Sequence, residues 1–148
     1  MRQSIVWRVW WRVLLAVPLA AAACVWGTGP DWVVVPGFIG VGSLGVPLEV
    51  LSAPDTVNAG EPFNIVVTTF GSSSCTRAAG ANSSVSGLSA SIVPLDSVLR
   101  GDVVCTDDLK PFPRDVSLTF GTAGQGLIAV TGRSRVGDTT VTRSIVVR

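Results

Sequence analysis

The feature that most constrains the fold is a succession of short apolar runs separated by turn-forming residues after position 47. In the clearest run, 63–70, Phe63, Ile65, Val67 and Thr69 share one face at a period of two, which predicts a half-buried β-strand. The other predicted strands are 48–51, 85–93, 103–105, 114–120, 127–131 and 139–147. Because no amphipathic helical period occurs in this region, the chain is predicted to form an all-β sandwich of about seven strands.

The segments between these runs are rich in residues that favour turns and loops. Residues 71–84 are dense in Ser, Gly and Ala and are predicted to form a loop, and Pro94 is expected to end a strand. Residues 25–47 hold 6 glycines and 3 prolines, which favours a tether with an edge strand at 32–35. The expected organisation is a leader over 1–23, a tether over 24–47 and the sandwich over 48–148.

The first 24 residues have the layout of an export signal. Arg2, Arg8 and Arg12 precede an uncharged apolar run over 13–23, as in secretory leaders. The small residues 21–23 before Cys24 suit an ordinary signal peptidase, and they also resemble the bacterial lipobox, in which the cysteine is cut and acylated. Lipidation of Cys24, simple cleavage and an uncleaved signal anchor therefore stay open, and all three export the domain beyond Cys24.

The cysteine count favours lipidation. If Cys24 carries lipid, Cys75 and Cys105 remain as an even pair in an oxidising compartment. A disulfide between them would close a loop of about 31 residues and stabilise the fold by roughly 3 to 4 kcal/mol on the loop-entropy estimate. Two buried free thiols are the alternative.

Residues 53–63, with the later pattern Phe120, Ala123-Gly124, Val130 and Gly132, resemble the immunoglobulin-like sandwiches of bacterial exported proteins. The resemblance covers about residues 46–148 and implies an immunoglobulin-like arrangement of strands. It departs from antibody domains because the sandwich has no core tryptophan and Cys75 lies just beyond a strand. The disulfide is therefore expected to fasten a loop to a neighbouring strand.

Composition argues against several classes of function. The 8 Lys and Arg residues after Cys24 face 10 Asp and Glu residues without forming a basic cluster, so no nucleic-acid partner is expected. The chain has no histidine and a single methionine, which disfavours serine nucleophiles with a histidine base as well as zinc and copper sites. We therefore predict no enzymatic activity and no cofactor.

Two groups of residues are candidate sites. Pro111 and Pro113 would hold Phe112 in an extended loop between Lys110 and Arg114, where these three side chains could contact a partner. Alternatively, Phe112 folds back to close the open end of the sandwich. The second group is Asp102, Asp107 and Asp108, whose oxygens could bind calcium, although the usual loop spacing is absent and solvated carboxylates are favoured.

The sequence thus predicts an extracytoplasmic lipoprotein attached to the membrane by lipid on Cys24. Its sandwich is expected to act as a non-catalytic binding module or structural module of the cell envelope, with an envelope protein as a possible partner. The alternative is an exported domain that binds a small ligand or calcium.

Overall fold

The computed structural model describes residues 31–40 and 49–148. These residues form nine β-strands. They are β1 (Asp31–Pro36), β2 (Leu51–Ser52), β3 (Thr56–Val57), β4 (Phe63–Ser73), β5 (Thr76–Ser86), β6 (Ser89–Arg100), β7 (Asp107–Leu118), β8 (Gly124–Ser134) and β9 (Gly137–Val147). The all-β sandwich is therefore confirmed, with nine strands where about seven were predicted.

The strands form two sheets packed face to face. One has six strands in the order β1-β6-β8-β9-β3, with β5 also paired to β6, and the other has three in the order β2-β4-β7. Most neighbours are antiparallel, but β6 pairs with β8, and β3 with β9, in parallel. Antibody-type sandwiches consist of antiparallel sheets, so the parallel β6–β8 pair is a departure from that arrangement.

The core lies between the two sheets and is formed by alternate residues of the long strands. Ile65 and Val67 of β4 are buried as the period of two predicts, and Ile92 and Ile128 are buried from the opposite sheet. Phe120, two residues after the end of β7, is fully buried, and its ring centroid lies 5.6 Å from that of Phe63. The remaining buried hydrophobic residues of the cluster are Ile39, Val50, Leu51, Val57, Phe70, Ala90, Val116, Leu118, Val130, Ile145 and Val147.

Strand β1 belongs to the six-stranded sheet, so the edge strand predicted at 32–35 is present. The sandwich therefore includes residues before position 48, within the segment predicted as a tether. β6 pairs with β8 over residues 89–92 and with β1 over residues 95–100. At the changeover, the Gly37 amide donates a hydrogen bond to the Pro94 carbonyl (2.7 Å), and the Arg133 amide donates to the Gly37 carbonyl (2.8 Å). β1 thus enters the sheet where β6 and β8 separate.

The prediction of a loop over 71–84 is wrong. β4 continues to Ser73, and β5 begins at Thr76 and pairs with β6. The side chains of β5 are mostly small and largely exposed, and its three alanines and Val85 show no regular alternation with polar residues. Hydrogen bonds between the β5 and β6 backbones hold this strand despite its low intrinsic propensity.

The strand predicted over 85–93 is in fact two strands joined by a turn. Gly87 in this turn has a φ of 59°, a conformation that glycine adopts readily. β6 then continues through Pro94, contrary to the predicted end of a strand. The proline is tolerated there because it lies where the neighbour of β6 changes from β8 to β1.

The predicted strand over 103–105 is also wrong, because these residues belong to the loop between β6 and β7. The extended loop predicted around Phe112 is instead part of β7. This strand lies at the edge of the three-stranded sheet, where Pro111 and Pro113 can be accommodated without a partner on the outer side.

Candidate functional site

A polar cluster lies inside the sandwich and joins its two sheets. Thr69 of β4, Asp96 of β6 and Arg114 of β7 all point inward because they continue the same alternation that buries the apolar core. The Thr69 hydroxyl donates to Asp96 Oδ1 and accepts from Arg114 Nη2, each at 2.9 Å. Arg114 Nη2 also forms an ion pair with Asp96 Oδ1. The cluster therefore connects β6 of one sheet to β4 and β7 of the other.

This ion pair is almost completely removed from solvent. Thr69 and Asp96 are fully buried, and 8% of the Arg114 side chain is exposed. Among the described residues, Asp96 Oδ2 and Arg114 Nε and Nη1 are buried without a hydrogen-bond partner. Since desolvation offsets much of the attraction in a buried pair, we infer that the cluster fixes how the sheets align and adds little net stability.

Gly37, the residue after β1, packs against this cluster at the point where the neighbour of β6 changes from β8 to β1. A Cβ atom added to Gly37 would clash with Thr69 Cγ2 and would lie 3.0 Å from Asp96 Oδ2. A side chain at position 37 would therefore displace the polar cluster, which explains why glycine stands there.

The predicted disulfide is present between Cys75 and Cys105, whose Cα atoms are 5.6 Å apart. Cys75 lies in the turn between β4 and β5, and Cys105 lies in the loop between β6 and β7. Around the bond, the Ser74 amide donates to the Thr106 carbonyl, and the Thr106 amide donates to the Ser74 hydroxyl, both at 3.0 Å. The disulfide thus joins two connections at one end of the sandwich, whereas a loop and a strand were expected.

The three residues predicted to contact a partner follow one another at a period of two along β7, yet they have different surroundings. Lys110 is exposed and forms an ion pair with Asp108 at 2.7 Å. Phe112 is half-buried and packs close to Gly71, where an added Cβ atom would lie 2.7 Å from its Cε2. Arg114 belongs to the buried cluster. Contact with a partner through these residues stays a prediction, and Lys110 is the exposed member of the three.

The acidic residues proposed for calcium do not form a cluster. Asp102 and Asp107 are exposed, and Asp108 is paired with Lys110. In the ranges 31–40 and 49–148, no group of three or more His, Cys, Asp or Glu side chains is placed to hold a metal ion.

The predicted attachment to a membrane depends on the N-terminal region of the chain. Cys24, the predicted site of lipidation, lies outside the described residues. Within the part of the chain that the structure describes, no helix has the length and hydropathy needed to cross a bilayer.

One end of the sandwich combines the disulfide with exposed apolar side chains. We call it the disulfide end: it comprises the β4–β5 turn, the β6–β7 loop, the β8–β9 turn and the starts of β1 and β7. Val104 and Val136 are each 98% exposed there, and Leu109 and Val103 are 48% and 46% exposed. Sequence patterns do not reveal this group, because its members come from three separate connections or strand ends. Beside it, a cleft of about 420 Å³ is lined by side chains of both sheets, including Phe70, Leu109 and Arg133.

Comparisons with known proteins give no functional assignment: no protein-family model, curated protein or solved structure matches this chain significantly.

Proposed function

We propose that this protein is an extracytoplasmic lipoprotein, held at a membrane by lipid on Cys24. Its immunoglobulin-like sandwich then serves as a non-catalytic binding module or structural module of the cell envelope. The observation that carries the proposal is the Cys75–Cys105 disulfide, which suits an oxidising compartment and leaves Cys24 as the odd cysteine. The leader residues before Cys24 support the same compartment.

The environment of the polar side chains supports a non-catalytic role. The chain contains no histidine, and the buried Asp96 and Arg114 are committed to each other and to Thr69. Asp96 borders the cleft beside the disulfide end, but only 1% of its side chain is exposed and its Oδ1 is held by Thr69 and Arg114, so it is poorly placed to act as a catalytic acid or base. The exposed surface of the disulfide end is better suited to contact than to chemistry.

The test is mass spectrometry of the full chain expressed in a bacterium, with membrane and soluble fractions analysed separately. We expect a membrane-bound product that begins at Cys24, carries diacylglycerol on that residue and has Cys75 and Cys105 oxidised. The matched control is Cys24→Ala, which should lose the acyl mass while keeping the disulfide. A soluble product without lipid, or native material with an intact leader and both thiols reduced, would contradict the proposal.

A second candidate function, binding of a small ligand, is favoured by the cleft beside the disulfide end. Its volume of about 420 Å³ falls within the range of small-molecule pockets, and its lining combines Phe70 and Leu109 with the cation Arg133. The test uses an aromatic sulfonate dye as the probe. Enhanced dye fluorescence that is lost in Leu109→Asp, but kept in Leu127→Asp, would favour this function; equal enhancement in both variants would reject it.

A further inference from the structure

We propose that the disulfide end of the sandwich docks on the surface of the lipid bilayer, with Val103 and Val104 entering the interface. This inference rests on the proposed lipidation of Cys24 and goes beyond it. Lipidation alone attaches the domain to the membrane, whereas docking determines which surface of the domain contacts the lipid.

The first argument is the short reach of the chain between the lipid and the sheet. Only residues 25–30 separate Cys24 from Asp31, where β1 begins. Seven residue steps at 3.3–3.6 Å each span at most about 25 Å. β6, with 12 residues, is about 40 Å long at roughly 3.3 Å per residue. The start of β1, and with it the disulfide end, is therefore held close to the bilayer.

The same end of the domain exposes apolar side chains to water. Asp31 pairs with Arg100, so the start of β1 lies beside the β6–β7 loop that carries Val103 and Val104. β8 runs parallel to β6, so the β8–β9 turn with Val136 lies at this end as well. Contact with the bilayer interface would remove these side chains from water, which the hydrophobic effect favours.

The outer surface near the start of β1 adds an aromatic residue and a cation. The Arg77 guanidinium carbon lies 3.9 Å from the centroid of the Trp32 ring. Tryptophan is enriched at membrane–water interfaces, and arginine can bury its aliphatic stem while its charge remains hydrated. At this end four cations, Arg77, Arg100, Lys110 and Arg135, are balanced by four anions, Asp31, Asp102, Asp107 and Asp108, so the contact should depend little on anionic lipid.

The loop that would enter the interface is already fixed in position. The Cys75–Cys105 disulfide and the two hydrogen bonds between Ser74 and Thr106 fasten it to the β4–β5 turn. Because a preorganised loop loses little conformational entropy on contact, the two valines need not be ordered by the lipid. The disulfide thus has a second role, which is to present Val103 and Val104 at the tip of the domain.

The experiment is photo-crosslinking of the full chain in bacterial membranes. The photoreactive residue p-benzoylphenylalanine replaces Val104 in one variant and Leu127, an exposed residue outside the disulfide end, in the control. After irradiation, mass spectrometry should find phospholipid adducts at position 104 in large excess over position 127. Replacing Val103 and Val104 by Asp should reduce lipid adducts from a probe placed at Val136.

The outcomes of this experiment separate docking from anchoring. Lipid on Cys24 with no phospholipid adduct at position 104, or with equal adducts at positions 104 and 127, would overturn docking while leaving the anchor intact. Adducts at position 104 to a second copy of this chain or to another protein would also overturn it, since protein would then cover the loop. Absence of the acyl group on Cys24 would instead reject the proposed function on which docking rests.

Discussion

The interior of the sandwich has two halves that follow the same strands but differ in chemistry. Toward the end where Phe120 lies, β4, β6 and β7 contribute Ile65, Ile92 and Leu118, and the interior is apolar. Toward the disulfide end, the same three strands contribute Thr69, Asp96 and Arg114. A period of two thus places every second residue inside the sandwich, but it does not determine whether that residue is apolar or charged.

The two halves should respond differently to substitution. In the apolar half, each side chain contributes mainly through its own packing, so a small loss of volume has a graded cost. In the polar half, each group depends on its partners, because removing one of them leaves a buried charge unpaired. Unfolding measurements on matched variants can therefore distinguish the two halves.

The largest effect is expected from Arg114→Met. The substitution removes the partner of Asp96 and leaves its carboxylate buried without compensation, which should lower the free energy of unfolding by about 3 to 5 kcal/mol. Urea unfolding of the protein with its disulfide intact measures the change. Lys110→Met on the same strand is the matched control; its side chain is 56% exposed and Asp108 is 32% exposed, so solvent screens this pair and the expected change is at most about 1 kcal/mol.

A double variant separates the cost of an unpaired charge from the value of the pair. Replacing Asp96 by Leu in the Arg114→Met background removes both charges, so most of the lost stability should return. If the double variant is as unstable as Arg114→Met alone, the polar half is held by specific hydrogen bonds, and its difference from the apolar half is not one of charge.

The disulfide gives the next largest expected effect. Replacing both Cys75 and Cys105 by Ala should lower the free energy of unfolding by about 3 to 4 kcal/mol, because the bond closes a long loop in the unfolded chain. Thermal or urea unfolding with and without a reducing agent measures it. The wild type should lose stability on reduction and the double variant should not. Equal stability of the two proteins would mean that the buried polar half fixes this end without the bond.

Predictability from sequence differs between the same two halves. The apolar alternation of 63–70 predicted β4 and its buried face, and the cysteine count predicted the Cys75–Cys105 pair. By contrast, nothing local distinguishes Asp96 from a surface carboxylate, since its partners Thr69 and Arg114 lie 27 and 18 positions away. The mostly small, exposed residues of β5 likewise gave no strand signal, because that strand is held by pairing with the β6 backbone and not by burial of its own side chains.

The smallest effect is expected in the apolar half, where neighbouring residues of β8 test the alternation directly. Ile128 is fully buried, whereas Leu127 is 42% exposed. Ile128→Val removes one buried methylene group and should lower the free energy of unfolding by about 1 kcal/mol. Leu127→Val removes the same volume from the outer face and should change it by less than about 0.5 kcal/mol. Urea unfolding of both variants measures the difference, and equal losses would mean that the inner and outer faces of β8 are not distinguished by packing.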